Sequence, residues 1–376
     1  MRGPIVGGLV FVSLAAAAFA CGSSDNNSSS STADAGVDSS YVYTPVNPGS
    51  TYDASTSTFT TTYGGCSVFP LASAWNTDVT TAAVDTTLTT QLTDSFGTGN
   101  TIHLNFGRTD YGRGYIVTTG TAATTQLAIT LNDDLARTQS DKIACPAGTT
   151  GDTCYPIPTS AKVSDNGKLI FLDTTGTPSN CTVYELLNPS TDRDGALRTE
   201  QDVDFASVWK LNSAALKTDQ FRAVSASGTS IFAGLLKRED ITKGTLTHAL
   251  RATMPTKNIR QSFVHPATWS DSTSSDTTRF PMGTRLRLKA AIAETSYTGD
   301  ALILIRGLKK YGVILADHND TSQVSSSASL SIDGEVNDGW VMDDSTNGLN
   351  DKIADVIQIT DFEVVNTGVA VAATSN

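Results

Sequence analysis

Aspartate accounts for 32 of the 38 acidic residues in this 376-residue chain, and glutamate for only 6. Glutamate is favourable inside helices, whereas aspartate favours helix caps and turns. The imbalance argues against a helical bundle or coiled coil and predicts strands joined by polar loops. The net charge is −12. Because phosphate binding needs a cationic face, we exclude a basic nucleic-acid binder as the default class and expect no nucleic-acid partner.

Residues 1–20 have the pattern of a secretory signal peptide, with Arg2 as the only charge before an apolar stretch and small residues. The tetrapeptide AFAC ending at Cys21 resembles the lipobox of bacterial lipoproteins. The resemblance implies cleavage before Cys21 and lipidation of its thiol, so the membrane is a partner through a lipid anchor. An ordinary signal peptide with an incidental cysteine is the alternative. Gly22, in place of an aspartate, favours the outer membrane of a Gram-negative cell envelope.

Composition divides the rest of the chain into three parts. Residues 21–64 hold the lipidated cysteine and a tether rich in Ser, Thr and Asn, which cannot bury enough apolar surface to offset its ordering entropy. Residues 65–366 are predicted to form one β-rich folded domain. Residues 367–376 are predicted to be a flexible C-terminal tail.

Four cysteines remain after Cys21, and an even number in an exported chain indicates two disulfides. Three pairings are open. Cys145 and Cys154 flank a short Pro/Gly/Thr loop and make a natural local bridge, which would leave Cys66 to pair with Cys181. Metal binding is the alternative, but the chain lacks a closely spaced cysteine pair of the usual zinc-site kind.

Hydrophobic periodicity predicts more strands than helices. Alternation of polar and apolar residues favours antiparallel pairing with one solvent-exposed face. We therefore expect a mainly β single domain with a few helices, an antiparallel β-sandwich of jelly-roll type. The predicted strands cover residues 113–119, 126–131, 168–173, 182–187, 246–254, 261–265, 282–290, 313–316 and 362–365. The predicted helices cover residues 84–96, 205–216 and 301–311, with a further one on Leu349, Ile353 and Val356.

Several segments, taken in order, resemble a family of secreted bacterial proteins of unassigned function. They are CSVFPLASAWN from Cys66, HLNFG from His103, CTVYEL from Cys181, HALRATM from His248, FVHPATW from Phe263, MGTRLRLKA from Met282 and LKKYGVILAD from Leu308. The resemblance covers most of residues 66–365 and implies one folded unit. It implies no particular chemistry, and the Ser-rich stretch 318–336 departs from the pattern.

Familiar catalytic motifs are missing from the sequence: HExxH, G-x-S-x-G, Walker A and GxGxxG. In a chain with four histidines, those within the resembling segments are acid/base candidates. The candidate catalytic residues are His265, His248, His103, Arg251 and Tyr311. On one strand His248 and Arg251 would face opposite ways. The alternative for each histidine is a structural hydrogen bond to a carbonyl or carboxylate.

Strict alternation places Arg285, Arg287 and Lys289 on one strand face, about 6.6 Å apart. Such a stripe needs compensation, either from neighbouring carboxylates in a salt-bridged sheet or from a ligand. The functional interpretation is a groove for an anionic polysaccharide such as a uronate polymer, with Trp269 and Trp340 stacking on sugar rings. If the groove is catalytic, β-elimination fits: an arginine neutralises the substrate carboxylate and a histidine or tyrosine moves the proton.

The acidic segment from Asp333 to Asp344 fails the EF-hand pattern but offers oxygen ligands, so Ca²⁺ is the alternative to our expectation of no metal and no cofactor. The leading hypothesis is a cell-envelope lipoprotein that interacts with or cleaves extracellular polysaccharide. One alternative is a non-enzymatic surface or structural lipoprotein. Another is a glycoside hydrolase of unknown specificity, whose required carboxylate pair the sequence does not single out. Whether the protein is an enzyme stays open.

Overall fold

Strands dominate the structure, which confirms the predicted β-rich class. The computed structural model describes residues 62–63, 66–105, 115–118, 126–157, 167–175, 180–190, 201–319, 329–335 and 349–374. Its strands are β1 Thr62–Tyr63, β2 Cys66–Ser67, β3 His103–Asn105, β4 Ile116–Thr118, β5 Leu127–Leu131, β6 Thr153–Tyr155, β7 Lys168–Asp173, β8 Thr182–Leu187, β9 Gln201–Val203, β10 Phe205–Lys210, β11 Leu250–Pro255, β12 Ile259–Phe263, β13 Phe280–Met282, β14 Arg285–Leu288, β15 Val313–Asn319, β16 Ser331–Asp333, β17 Phe362–Val365 and β18 Val371–Ala372. Its α-helices are α1 Thr86–Phe96, α2 Asp134–Thr138, α3 Ile231–Gly234, α4 Arg238–Thr242 and α5 Gly299–Lys310.

The largest sheet has six strands in the order β17-β14-β15-β11-β16-β3. One of its faces is apolar and packs against the buried sides of α1 and α5. In α1 that side carries Leu92 and Phe96, four residues apart and therefore on one helical face. Asp85 begins the helix by accepting from the Leu88 N–H, and Gly97, with a φ of +72°, ends it. The predicted helix over 84–96 is thus confirmed.

A four-stranded sheet, ordered β10-β8-β7-β4, lies on the other side of the six-stranded sheet. Apolar side chains of β7, β8 and β10, together with Ile314 of β15, belong to a second apolar core. An ion pair of 3.0 Å between Lys168 of β7 and Asp317 of β15 also joins the two sheets. The domain is therefore sandwich-like, and charged groups lie inside it. The described residues all fall within one compact unit, Ala35–Asn376.

The prediction of purely antiparallel pairing is wrong, because the sheets contain both parallel and antiparallel neighbours. β11 pairs in parallel with β15, and β16 with β3, while β14 runs antiparallel to β15. Parallel neighbours need a long crossover connection. α5 completes the one between β11 and β15, and it ends at Lys310, directly before β15 begins.

Two further predictions are wrong. Residues 205–216 are not helical, since Phe205–Lys210 form β10 and pair along their whole length with β8. The C-terminal tail is not free, because β18 pairs with Ser262 and Phe263 of β12. In both places pairing with a distant strand decides the backbone, and local composition does not report it.

Both disulfides have the pairing that the sequence favours. Cys66 is bonded to Cys181 across 115 residues, and Cys145 to Cys154 across 9. The first bridge ties the N-terminal segment of the domain to the residue that precedes β8. The second closes the loop before β6.

Candidate functional site

The three residues of the predicted basic stripe have different surroundings in the structure. The prediction that Arg285 binds substrate is wrong. The Arg285 side chain is completely buried. The guanidinium donates to the backbone carbonyls of Ala74, Thr77 and Tyr311, with Nη2 of Arg285 3.0 Å from the Thr77 oxygen. A guanidinium enclosed by backbone carbonyls holds loops together and is not available to a polysaccharide.

Lys289 and Arg287 also have partners within the protein. Lys289 donates to the Thr360 carbonyl at 2.7 Å and lies beyond the end of β14. Arg287 pairs with Glu363 at 2.7 Å and donates to the carbonyls of Val79 and Thr80. Arg287 lines the cavity described below, whereas Arg285 and Lys289 do not. The stripe is therefore not a groove, although its middle residue, Arg287, borders a candidate site.

That site, which we call the cationic cavity, has a volume of about 550 Å³. It lies between α5 and the end of β14. Apolar side chains from three different segments contribute to its wall. The cavity is lined by Thr80, Gly244, Thr245, Leu246, Arg287, Leu288, Ala290, Glu294, Ile303, Arg306, Lys309, Lys310 and Glu363.

Four cations and two carboxylates are among these lining residues, so the wall carries two net positive charges in a protein of net charge −12. Glu294 pairs with Arg306 at 2.9 Å and with Lys309 at 3.4 Å. The hydrogen bond from Arg306 lowers the pKa of the Glu294 carboxyl. The side chains of Arg306 and Lys310 remain 62% and 52% exposed. The cavity can therefore offer positive charge to an incoming anion.

Sequence reasoning did not select the cations of α5. Arg306, Lys309 and Lys310 have the spacing i, i+3 and i+4 that brings side chains to one face of a helix. The opposite face carries Leu304, Ile305 and Leu308, all buried in the core. The spacing of these charges along the predicted helix 301–311 was the available signal for its basic face.

A second group of polar side chains lies inside the sandwich, on the six-stranded sheet face that is turned towards the four-stranded sheet. Pairing registers place its members side by side on four neighbouring strands. It includes two of the predicted catalytic residues. We call this set the polar face: His103, Asn105, Arg251, Thr253, Asp317, Asn319, Ser331 and Asp333.

Arg251 is the centre of the polar face and is fully buried. Its Nε donates to Asp333 at 2.7 Å and its Nη2 to Asp317 at 2.9 Å. Burial alone lowers the pKa of the Arg251 guanidinium, but the two carboxylates more than offset it and the pKa is raised. Burial lowers the pKa of His103, so the imidazole is disfavoured as a cation. Arg251 is thus held as a fixed cation between two carboxylates.

Glu185 of β8 approaches Arg251 from the four-stranded sheet. Its two carboxyl oxygens accept five hydrogen bonds, from the side chains of Ser207, Trp209 and Ser230 and from two backbone N–H groups that begin α3. Burial raises the pKa of Glu185, while these donors oppose that change. Sequence reasoning missed Glu185 and Asp317, although a carboxylate within an apolar strand is itself an unusual feature, and it considered Asp333 only as a calcium ligand.

The other predicted catalytic histidines do not join the polar face. His248 is buried, with Nε2 3.3 Å from Asp240 and Nδ1 2.8 Å from the Ala249 carbonyl oxygen. Nε2 of His265 is 2.8 Å from Asp219. Each ring therefore has its own structural partner, and the convergence of histidines in one cleft is not observed.

Two aromatic predictions are also corrected. Trp269 is 2% exposed, so its ring cannot stack on a sugar at the surface. Tyr311 is likewise buried, at the end of α5, and the Lys310 ammonium lies 5.2 Å from the centre of its ring. Neither residue lines the cationic cavity. Trp340 and Cys21 lie outside the described residues.

The predicted calcium segment is described only at its start. Asp333 is bonded to Arg251, and Glu335 accepts from the Arg238 N–H at 2.7 Å, while positions 336–344 lie outside the described residues. In the part of the chain that the structure describes, no three His, Cys, Asp or Glu side chains are grouped to hold a metal ion. Over the same residues, no helix combines the length and the apolar character needed to cross a bilayer.

Comparison with known proteins identified no relative of this chain. No protein-family model matches the chain, and no similar curated protein or solved structure was found. The candidate sites therefore rest on their own geometry.

Proposed function

We propose that this protein binds anionic polysaccharide in the cationic cavity, as a lipid-anchored protein of the bacterial cell envelope. The observation that carries the proposal is the set of four cations around a cavity of about 550 Å³ in an otherwise acidic protein. That volume is typical of small-ligand sites, which span roughly 300–1,000 Å³. It suits one or two sugar units of a longer chain that continues into solvent.

The chemistry of the wall favours a uronate. Guanidinium groups match carboxylates with two parallel hydrogen bonds, and the exposed Arg306 supplies such a group at the cavity, while Arg287, already bonded through Nε and Nη1, adds its charge. Leu246, Leu288 and Ile303 supply apolar contact for the C–H faces of a sugar ring. A wall with both features discriminates an acidic sugar from a free inorganic anion.

Binding is favoured over lytic cleavage at this cavity. β-Elimination needs a group that removes a proton next to the substrate carboxylate, and we expected a histidine or tyrosine in that role. The residues lining the cavity, all within the described ranges, include neither. Binding of the polysaccharide requires only the residues that line the cavity, whereas its cleavage would also require a proton-removing group.

Export and lipid anchoring are supported by the sequence. The AFAC segment ending at Cys21 is the basis for the anchor. Two disulfides are typical of a chain that folds in an oxidising compartment outside the cytosol. Labelled palmitate should enter the protein in cells and should not enter the Cys21→Ala variant; equal labelling of both would remove the anchor from the proposal.

The binding proposal is tested by titrating the full chain with tetragalacturonate and with neutral maltotetraose. We expect tetragalacturonate to bind at least about tenfold more tightly, and the preference to shrink as salt screens the exposed cations. Arg306→Ala should weaken tetragalacturonate binding roughly five- to tenfold, because it removes one charge-assisted contact.

Arg279→Ala is the matched control, since Arg279 is also partly exposed and ion-paired, to Asp276 at 3.3 Å, but does not line the cavity. Its affinity should equal that of the wild type. Equal affinity for the two tetrasaccharides, or equal effects of the two substitutions, would contradict the proposal.

A further inference from the structure

The cationic cavity contains a carboxylate of the protein itself, that of Glu294, in contact with two of its cations. Glu294 begins a short 3-10 turn, Glu294–Ser296, that precedes α5, and its side chain lines the cavity. Its Oε2 accepts from Nε of Arg306 at 2.9 Å, and its Oε1 accepts from Nζ of Lys309 at 3.4 Å. The two oxygens therefore hold Arg306 and Lys309 in the way that the carboxylate of a bound uronate would.

Glu294 is held less firmly than Glu363, the other carboxylate that lines the cavity. Glu363 of β17 lies directly opposite Arg287 of β14, so the pairing of the two strands fixes their contact. The Glu363 side chain is 19% exposed, whereas that of Glu294 is 39% exposed and that of its partner Arg306 is 62% exposed. Exposed ion pairs contribute little to stability, because water solvates both partners when they separate. The Glu294 carboxylate can therefore leave Arg306 for water.

Asp78, the third carboxylate beside these cations, is engaged elsewhere. It lies 3.9 Å from Nζ of Lys310, which is beyond hydrogen-bond distance. Its Oδ1 accepts from the backbone N–H and from the hydroxyl of Thr80, at 2.8 and 2.6 Å. Asp78 is also not one of the residues that line the cavity. Glu294 is thus the carboxylate that both lines the cavity and can be replaced.

An incoming uronate meets Glu294 as a charged group. The hydrogen bond from Arg306 lowers the pKa of the Glu294 carboxyl, and the charge of Lys309 adds to this, so the group is ionised wherever a uronate is. Arg306 has a single Nε–H to donate. A second carboxylate at that position would repel the first, and like charges this close are unfavourable. Binding of a uronate at Arg306 therefore requires Glu294 to move away.

We propose that Glu294 is an internal competitor that sets the affinity of the cationic cavity for acidic sugar, an inference that rests on the proposed polysaccharide binding. Its carboxylate occupies Arg306 and Lys309 until a uronate replaces it and Glu294 turns to solvent. One ion pair is exchanged for another, so a single small anion gains little. A uronate chain gains further contacts to Arg287, Lys310 and the apolar wall, so it is the anion that the cavity retains.

Titration of the full chain with tetragalacturonate tests the proposal by comparing the wild type with Glu294→Gln and Glu294→Ala. Glutamine keeps the shape of the side chain and an oxygen that can accept from Arg306, but it carries no charge. We expect Glu294→Gln to bind roughly three- to tenfold more tightly than the wild type, and Glu294→Ala to bind more tightly as well, because neither has a carboxylate to displace. Neutral maltotetraose should bind all three proteins equally.

Glu239→Gln is the matched control. The Glu239 side chain is 41% exposed and pairs with Lys243 at 3.0 Å, but neither residue lines the cavity. The substitution removes the same charge from the protein without removing a competitor. Its affinity for tetragalacturonate should therefore stay within about twofold of the wild type, since distant exposed charges are screened by salt.

Unchanged affinity in Glu294→Gln together with weaker binding by Glu294→Ala would overturn the proposal, because Glu294 would then position Arg306. Equal tightening in Glu294→Gln and Glu239→Gln would also overturn it, because the net charge of the protein would explain the effect. If the wild type prefers tetragalacturonate to maltotetraose but Glu294→Gln binds no more tightly, only the internal competitor is wrong. If neither protein shows that preference, polysaccharide binding at the cavity is wrong as well.

Discussion

Arg285 and Arg287 are two residues apart on the same strand and point to the same side of the sheet, but their surroundings differ completely. Arg285 is buried and bonded to backbone carbonyls, whereas Arg287 borders the cationic cavity and pairs with Glu363. Alternation along β14 determines which face a side chain occupies. Whether that face reaches solvent is determined by what covers it, and here the segment from Ala74 to Thr80 covers the first arginine fully and the second only in part.

The comparison separates two uses of a positive charge. At Arg285 the guanidinium satisfies carbonyls of segments that are distant in sequence, so its contribution is to stability. At the cavity the four cations outnumber the carboxylates beside them, Glu294, Glu363 and Asp78, and we propose that their contribution is to recognition. Substitution of each arginine should therefore affect a different measurement.

Arg285→Met should have the largest effect, a loss of about 3–5 kcal/mol in the free energy of unfolding. The substitution keeps most of the side-chain volume but leaves the carbonyls of Ala74, Thr77 and Tyr311 without their donor, at about 1–3 kcal/mol each when buried. Urea denaturation provides the measurement. Arg306→Met, at a side chain that is 62% exposed, is the control and should change stability by less than about 0.5 kcal/mol. Similar losses in the two variants would contradict the distinction.

Arg287→Met should have an intermediate and mixed effect. We expect a loss of about 1–2 kcal/mol in unfolding free energy, because the ion pair with Glu363 and the bonds to Val79 and Thr80 are only partly buried. We also expect tetragalacturonate to bind several-fold more weakly. Glu363→Gln keeps the shape of the partner while removing its charge, so it should preserve or strengthen tetragalacturonate binding. If Arg287→Met loses stability but binds tetragalacturonate as tightly as the wild type, then Arg287 has only a structural role, like Arg285.

Elements with a strong local pattern were predicted well. Residues 168–173 and 182–187 were expected to be strands and form β7 and β8 with those bounds. Residues 205–216 were expected to be a helix, yet six of them form β10. The decisive interaction there is pairing with β8, more than fifteen residues away, and a local pattern contains no information about it.

The sites were predicted less completely than the strands. The sequence selected Arg251 and His103, but the carboxylates that flank Arg251 come from β15 and β16, which follow it by 66 and 82 residues. The cavity similarly combines Arg287 with cations of α5. Candidate residues could be named from composition and resemblance, whereas their grouping depended on a mixed sheet topology that alternation alone did not indicate.

The smallest predicted effect on stability is that of substituting His318, a charged residue at the edge of the sandwich. Its hydrogen bond to Asp271, 2.8 Å long, raises the pKa of the imidazole; burial and Lys168 oppose this, and Asp317 adds to it. Because the folded state holds the proton more tightly, the stabilisation is fully present below about pH 6.5 and is lost as pH rises through the higher pKa of the folded state. For a partly exposed pair we expect at most about 1 kcal/mol.

The measurement is the unfolding free energy of the wild type and of His318→Gln between about pH 5.5 and 8.5. Burial lowers the pKa of His103, which makes the fold less stable as pH falls, but that contribution is common to both proteins and cancels in their difference. The difference should therefore decrease with rising pH, and Asp271→Asn should reproduce the curve of His318→Gln because each removes one half of the same pair. Parallel curves for wild type and His318→Gln would show that this partly exposed pair makes no pH-dependent contribution to stability, and would contradict the prediction.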